Sequence, residues 1–230
     1  MLRFLSAQSS FNLWVIFAAE NLLVTLLALL FGWAILKLTH KPIQQASRQE
    51  VFVCLVTNII NTMITYAGFW LWKHGYIVLG YELSWRIIID FFMLFMLMDL
   101  AMFIFHYFIH HSAIYKAIHR FHHHYTDPTP IDLFVLHPFE TVGFGSLWLL
   151  IITLISFNIY AVFIYLAVNI FFGIMGHLGV EPIPSGIRKL IPFKYLGTSS
   201  FHHRHHLDIS YNYGFYTNIW DKLFKTYKEG

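Results

Sequence analysis

Thirteen of the fifteen histidines in this 230-residue sequence fall between Phe105 and Leu207. Three groups carry the spacing of a helix face: His106 and His110; His119, His122 and His123; His202, His205 and His206. Residues three and four apart lie one above another on a helix, so each group is expected to aim its rings at one point. Neutral imidazole suits iron, zinc, copper and nickel, whereas magnesium and calcium prefer oxygen. A structural zinc site closes at four ligands. Eight or nine converging rings exceed that, and two metals, each with several imidazoles and an open position, fit the count better. The lone Cys54 sits in an apolar run, so neither a disulfide framework nor a cysteine-rich zinc site can be built within one chain.

The elements that position these rings follow from the solvent. The chain is 57% hydrophobic and 12% charged, with a mean hydropathy of +0.59, far from the soluble norm of about a quarter charged. It belongs in a bilayer. Apolar stretches at 11–38, 51–78 and 85–108 each exceed the roughly 20 residues that cross a hydrocarbon core. The first lacks a small-residue cleavage site and is too long for a signal peptide, so it reads as a retained helix. Two shorter stretches, Val142 to Ser156 and Tyr160 to Met175, joined at Phe157-Asn158, suggest a helical hairpin over 142–175 that enters and returns on one side. The expectation is an all-α integral membrane protein: about three transmembrane helices, the hairpin, and a histidine-rich helical cap from 106–140 and 176–230 that holds a di-metal site. No repeat or linker interrupts it, so residues 1–230 form one membrane domain. There is no glycine-rich phosphate loop and no room for a flavin or nicotinamide module. A net charge of +3 without a basic stripe gives no reason to invoke nucleic acid.

Charge sets the orientation. If all histidine groups share one side, that side carries Lys37, Lys41, Arg48, Lys116, Arg120, Arg188, Lys189, Lys194, Arg204, Lys222, Lys225 and Lys228; the other carries Arg3, Lys73 and Arg86. Such asymmetry places the cap in the cytoplasm.

Other polar residues fall near the cluster. Asp99 lies two helical turns before His106, in register to hold that ring from behind, and an acid within an apolar span is costly enough to need a role. His137 and Glu140, at the mouth of the hairpin, are placed to orient a ligand or to act as one. His111, His124 and His203 point off the shared faces and read as outer or surface residues; His40 and His74 read as ordinary satisfied histidines.

These residues in this order resemble the fatty acid hydroxylase and sterol desaturase superfamily of membrane di-iron proteins. The match begins at Asp99 with His106 and His110, continues through His119, His122 and His123 with Pro128-Thr129, and reaches His137-Pro-Phe-Glu140. It resumes at His177-Leu-Gly and ends with His202, His205, His206, Asn212-Tyr213-Gly214 and Trp220-Asp221. About the last 135 residues are covered. The resemblance implies a metal set of His106, His110, His119, His122, His123, His177, His202, His205 and His206. It departs in three places: Tyr107 stands where arginine is frequent, Phe224-Lys225-Thr226 replaces Phe-Gly-Thr, and the second histidine that some relatives carry near His177 is missing. Glu181, Asn212 or water would then fill the remaining ligand positions.

By the same resemblance, the chain is expected to be an oxygen-dependent enzyme holding two iron ions, with zinc as a substitute, that hydroxylates or desaturates a membrane lipid: a fatty acyl chain, a sterol or a carotenoid. Electrons would come from a separate ferredoxin or small haem protein with its reductase. The rival from another class is a metal transporter, which would place histidines at mid-membrane depth on several spans.

Overall fold

A computed structural model describes residues 2–229. After a short helix α1 (Leu2–Ser6), the first long helix α2 (Ser10–Leu38) starts where Ser9 Oγ accepts the Asn12 N–H, and α3 (Arg48–Lys73) starts from a reciprocal cap in which Ser47 and Glu50 each bind the other's backbone N–H. Helix α4 runs over Arg86–His111, α5 over Pro138–Leu154 and α6 over Ile159–Gly176. Four of these, α2, α3, α4 and α6, are long and apolar enough to cross a membrane; α5 is shorter at 17 residues. Their outward faces suit lipid: Leu22, Leu23, Leu26, Leu27 and Leu30 of α2 are each about half exposed.

Helix α2 packs on α3 and α6, α3 on α5, α5 on α4, and α4 on α6, closing a ring of five. The deepest core lies among α4, α5 and α6, around Leu94, Met98, Ile152, Val162 and Tyr165. At the cap end a 3-10 turn, Pro130–Phe134, presses between α2, α3 and α6. Gly32 makes this close approach possible, since a Cβ there would sit 2.7 Å from the Pro130 ring.

The hairpin reaches the far end of the bundle. Its tip forms a two-residue strand β2 (Phe157–Asn158) paired in parallel with β1 (Leu79–Gly80), in the connection between α3 and α4. Asp90 accepts the Asn158 N–H at 2.7 Å, and the Asn158 side chain donates to Glu82 O at 2.7 Å. Asp90, an acid inside α4, thus ties the hairpin tip to that helix.

The cap is mostly turns and short helices: α7 (Ser185–Arg188), α8 (Ser199–Leu207) and α9 (Ile219–Phe224). Two buried carboxylates organise its C-terminal part. Asp221 accepts the backbone N–H of Tyr213 and Gly214, both at 2.8 Å, and the Thr226 hydroxyl. Asp99 reaches from α4 to the Tyr216 and Thr217 N–H groups, the Thr217 hydroxyl and the Trp220 indole N–H. Lys225 closes α9 at φ 62, the left-handed position that glycine adopts without strain. That explains why the family pattern has glycine there.

Candidate metal centre

Three elements deliver histidines with ordinary helical geometry. The last two turns of α4 carry His106 and His110, α6 hands over to His177 at its C-terminus, and α8 carries His202, His205 and His206. The start of α8 is doubly held: Thr198 Oγ1 caps Phe201 N, and Glu181 Oε2 accepts both the N–H and the hydroxyl of Ser200. The middle group is not in an α-helix as its spacing suggests. His119 lies in a run of turns and His122–His124 form a 3-10 turn. Prolines at 128 and 130 follow directly and stop further winding. One backbone bond, His123 N to His119 O at 3.3 Å, preserves the single α-like turn that matters.

The nine histidines separate into two groups. His106, His110, His119, His123 and His205 have ring nitrogens within 4.8 Å of one another, and so do His122, His177, His202 and His206. The groups abut, with the His123 and His206 ring centroids 4.9 Å apart. Whole motifs therefore do not aim at one point, contrary to the reading of the spacing. Each pair four apart stays together (106 with 110, 119 with 123, 202 with 206), while the residue three along, His122 or His205, crosses to the other group. A step of three turns the ring to the opposite edge of the pair's face, and two such elements opposed to each other share out their rings. All nine lie at the cap end of the bundle, not at mid-depth on several spans.

What stands behind each ring decides what its inner nitrogen can do. His106 Nδ1 donates to Tyr213 O at 2.8 Å, His205 Nδ1 to Tyr211 O at 2.6 Å, His177 Nδ1 to Gly173 O at 2.7 Å, and His122 Nδ1 to Val135 O at 3.4 Å. His119 Nδ1 donates to Glu140 Oε1 at 2.8 Å. A carbonyl oxygen only accepts, so these rings carry the proton on Nδ1 and a lone pair on Nε2. The Nε2 atoms then face each other at 2.9 Å (His106 and His119) and at 3.1 Å (His106 and His205), and two lone pairs cannot bond to one another. A cation between them satisfies every one. Burial also keeps the rings neutral: it holds His119, His122, His202, His205 and His206 well below the usual histidine range and His177 down at about 4. The nitrogen-only donor sets fit the metals that imidazole suits.

Among the accessory residues, Glu140 contacts a ring of the clusters, His119, from behind. The others do not. Asp99 has no histidine among its hydrogen-bond partners; the position behind His106 is taken by the Tyr213 carbonyl, and Asp99 holds the segment that supplies it. His137 caps α5 by accepting the Phe139 N–H, and Glu181 caps α8. Asn212, at φ 61, ties Phe201 O and Lys228 O through its amide. None of these three enters either histidine group. His111 and His124 are exposed, and His203 donates outward to Thr126 O. The carbonyls of Tyr211, Tyr213, Val135 and Gly173 escaped the sequence reading because a backbone acceptor has no side-chain signature; only Asn212-Tyr213-Gly214 hinted at them.

The fatty acid hydroxylase family model matches residues 91–226. A Delta(7)-sterol 5(6)-desaturase of Candida glabrata is 25% identical over 95% of this chain and 61% of its own length. Methylsterol monooxygenase 1 of Danio rerio is 34% identical over 53% of this chain and 42% of its own length. Cholesterol 25-hydroxylase-like protein 1, member 2, also of Danio rerio, is 29% identical over 58% and 49%. The chain thus spans about half the length of the curated relatives it matches. No solved structure gives a significant match. With both histidine groups inside the matched stretch, the chain belongs to the fatty acid hydroxylase family.

Proposed function

We propose that this protein is a multi-pass membrane oxidoreductase that holds two iron ions and uses dioxygen to hydroxylate or desaturate a membrane lipid. The observation that carries the reading is the pair of abutting nitrogen-only groups at one end of a lipid-facing bundle. The names of the relatives, a sterol desaturase and a methylsterol monooxygenase, agree in reaction class.

Bound iron would supply oxygen activation and attack on an unactivated carbon-hydrogen bond. The chain supplies the geometry. Backbone carbonyls and Glu140 lock the tautomers of His106, His119, His122, His177 and His205, so that each Nε2 is ready to ligate. Burial excludes water from the rings, and the apolar helices admit a lipid from the side. Electrons come from a separate ferredoxin or small haem protein with its reductase; Lys116, Arg120, Arg204, Lys222 and Lys225 on the cap favour an acidic partner. The charge bias supports a cytoplasmic cap.

Metal analysis of the purified protein, followed by anaerobic reduction and oxygen uptake with lipid present, tests the reading. Two metals per chain and lipid-dependent uptake are expected, with zinc in place of iron after overexpression giving the count without the uptake. One metal at full occupancy overturns it. For orientation, a Cys54→Ser background with Leu83→Cys should label in intact cells, and Lys116→Cys should not; the reverse places the cap outside.

A further inference from the structure

Between α6 and α8 the chain leaves the bundle for a surface segment, residues 184–195, in which every residue but Arg188 is exposed. Ile187, Leu190, Ile191, Phe193 and Tyr195 are among them, Ile191 at 73%. Prolines at 182, 184 and 192 keep the segment from winding into one long helix. Short turns instead satisfy the N–H groups of Ile187, Leu190, Lys194 and Tyr195 from within it. Both ends are tied down: Glu181 Oε1 accepts the Ile183 N–H at 3.1 Å, and the Asn218 amide donates to Lys194 O at 3.1 Å. A fixed, irregular segment that shows apolar side chains outward suits the headgroup boundary of a bilayer and not its hydrocarbon centre.

Position and charge say what covers it. Tyr160, Ile164 and Phe171, four and seven residues apart, form one exposed face of α6. At the cap end Phe171 and Phe172 share a crevice of about 100 Å³ with Ile183, Arg188, Phe193 and Leu196. The lipid-facing side of α6 therefore runs directly into the segment. Arg188, Lys189 and Lys194 supply positive charge, and the sequence holds no acidic residue from Pro182 to Leu207. Among the described residues none of the three forms an ion pair, and Arg188 is fixed by its Nε–H to Ile183 O at 3.1 Å. A second copy of the chain would bring the same charges and be repelled, and an acidic protein would not account for the unbroken passage from the face of α6. We infer that residues 184–195 seat in the membrane interface and bind the headgroup of an anionic phospholipid whose acyl chain lies along α6. Each cation near an anionic membrane surface is worth about fivefold in lipid occupancy. The surface stands apart from the metal centre and does not depend on which reaction that centre performs.

The test uses full-length, metal-loaded protein carrying Cys54→Ser and Ile191→Cys, labelled at residue 191 with the fluorophore NBD and placed in phosphatidylcholine nanodiscs. Phosphatidylcholine or phosphatidylserine bearing a doxyl quencher close to the headgroup is then added in steps. Both should quench, because the label sits at the interface. Phosphatidylserine should reach half-quenching at a concentration lower by about fivefold or more. Neutralising Arg188→Gln, Lys189→Gln and Lys194→Gln together should bring the two lipids level at unchanged metal content, and added salt should narrow the gap in the parent protein. If the triple variant does not fold, Lys189→Gln with Lys194→Gln, both at exposed positions, should narrow it likewise. No quenching by either lipid would leave the segment in water, open to an acidic protein or a second copy, and overturns the inference. Equal quenching by the two lipids before neutralisation, or a preference for phosphatidylserine that survives it, overturns the headgroup assignment.

Discussion

The two histidine groups are built from the same residue type at the same spacings, yet they are backed differently. In the five-histidine group, three rings are held from behind at 2.6–2.8 Å: His106 and His205 by carbonyls of the Tyr211–Tyr213 segment, and His119 by Glu140. In the four-histidine group, His177 is held firmly by the carbonyl one turn back and His122 has only a 3.4 Å contact; among the described residues the Nδ1 atoms of His202 and His206 have no partner, as is true of His110 and His123 in the first group. One group is rich in donors and braced by a tertiary segment; the other is sparse and braced locally. A ligand's neighbours, and not its spacing, set how much its loss matters.

Acid probes both groups at once and should give the largest effect. In metal-free protein the unfolded chain takes up protons below about pH 6.5, whereas folded His177 does so only near 4, and burial holds His119 and His202 well below their ordinary value as well. The unfolded state therefore binds more protons in that window, and stability falls as pH falls. His177 alone accounts for roughly 2 kcal/mol between about pH 7 and pH 5. Thermal melts of apo protein that are flat over this range would break the account.

Removing a ligand comes next. His122→Ala leaves three donors in the sparse group, and metal content should drop from two toward one per chain with turnover down about 100-fold. His110→Ala leaves four donors in the braced group and should retain both metals. Equal losses from the two variants would erase the difference between the groups.

Asp99→Asn acts at one remove. The amide has one accepting oxygen in place of two, so it cannot serve both the Tyr216 and Thr217 N–H groups and the Thr217 hydroxyl with the Trp220 indole, and the segment behind His106 and His205 loosens. A roughly tenfold loss of metal affinity is expected, confined to the five-histidine group; a loss shared by both groups would mean that Asp99 supports the cap as a whole. The smallest effect has the opposite sign. Lys225→Gly relieves a left-handed residue and should stabilise the fold by about 1 kcal/mol, seen as a higher melting temperature without a change in metal count.

The spans were legible because a bilayer imposes length and hydropathy directly, and the observed helices begin and end within a few residues of the apolar stretches, apart from the early end of α3 at Lys73. The nine histidines were legible as well, since no other role gathers so many. Their partition was not. Sequence register placed Asp99 on the His106 face, but it could not see that a segment more than a hundred residues later would occupy the space behind that ring. Glu181 and Asn212 were named, with water, as candidates for the open ligand positions because their types allow it, whereas the structure engages them in helix capping and a left-handed turn. The middle motif showed a helical period without a helix, because period counts rings on a face and says nothing of the prolines that follow.

The pairing of Phe157–Asn158 with Leu79–Gly80 also works as a depth stop. Helix α5 runs from that tip to Glu140, and α6 runs from it to His177, each over about 25 Å at 1.5 Å per residue. A slip of one residue at the tip would draw one arm toward it and push the other away by about 1.5 Å each and rotate them by about 100°, taking Glu140 away from His119 and His177 out of its group together. The height of the metal centre is thus gauged from the opposite face of the bundle, by four residues that never approach it.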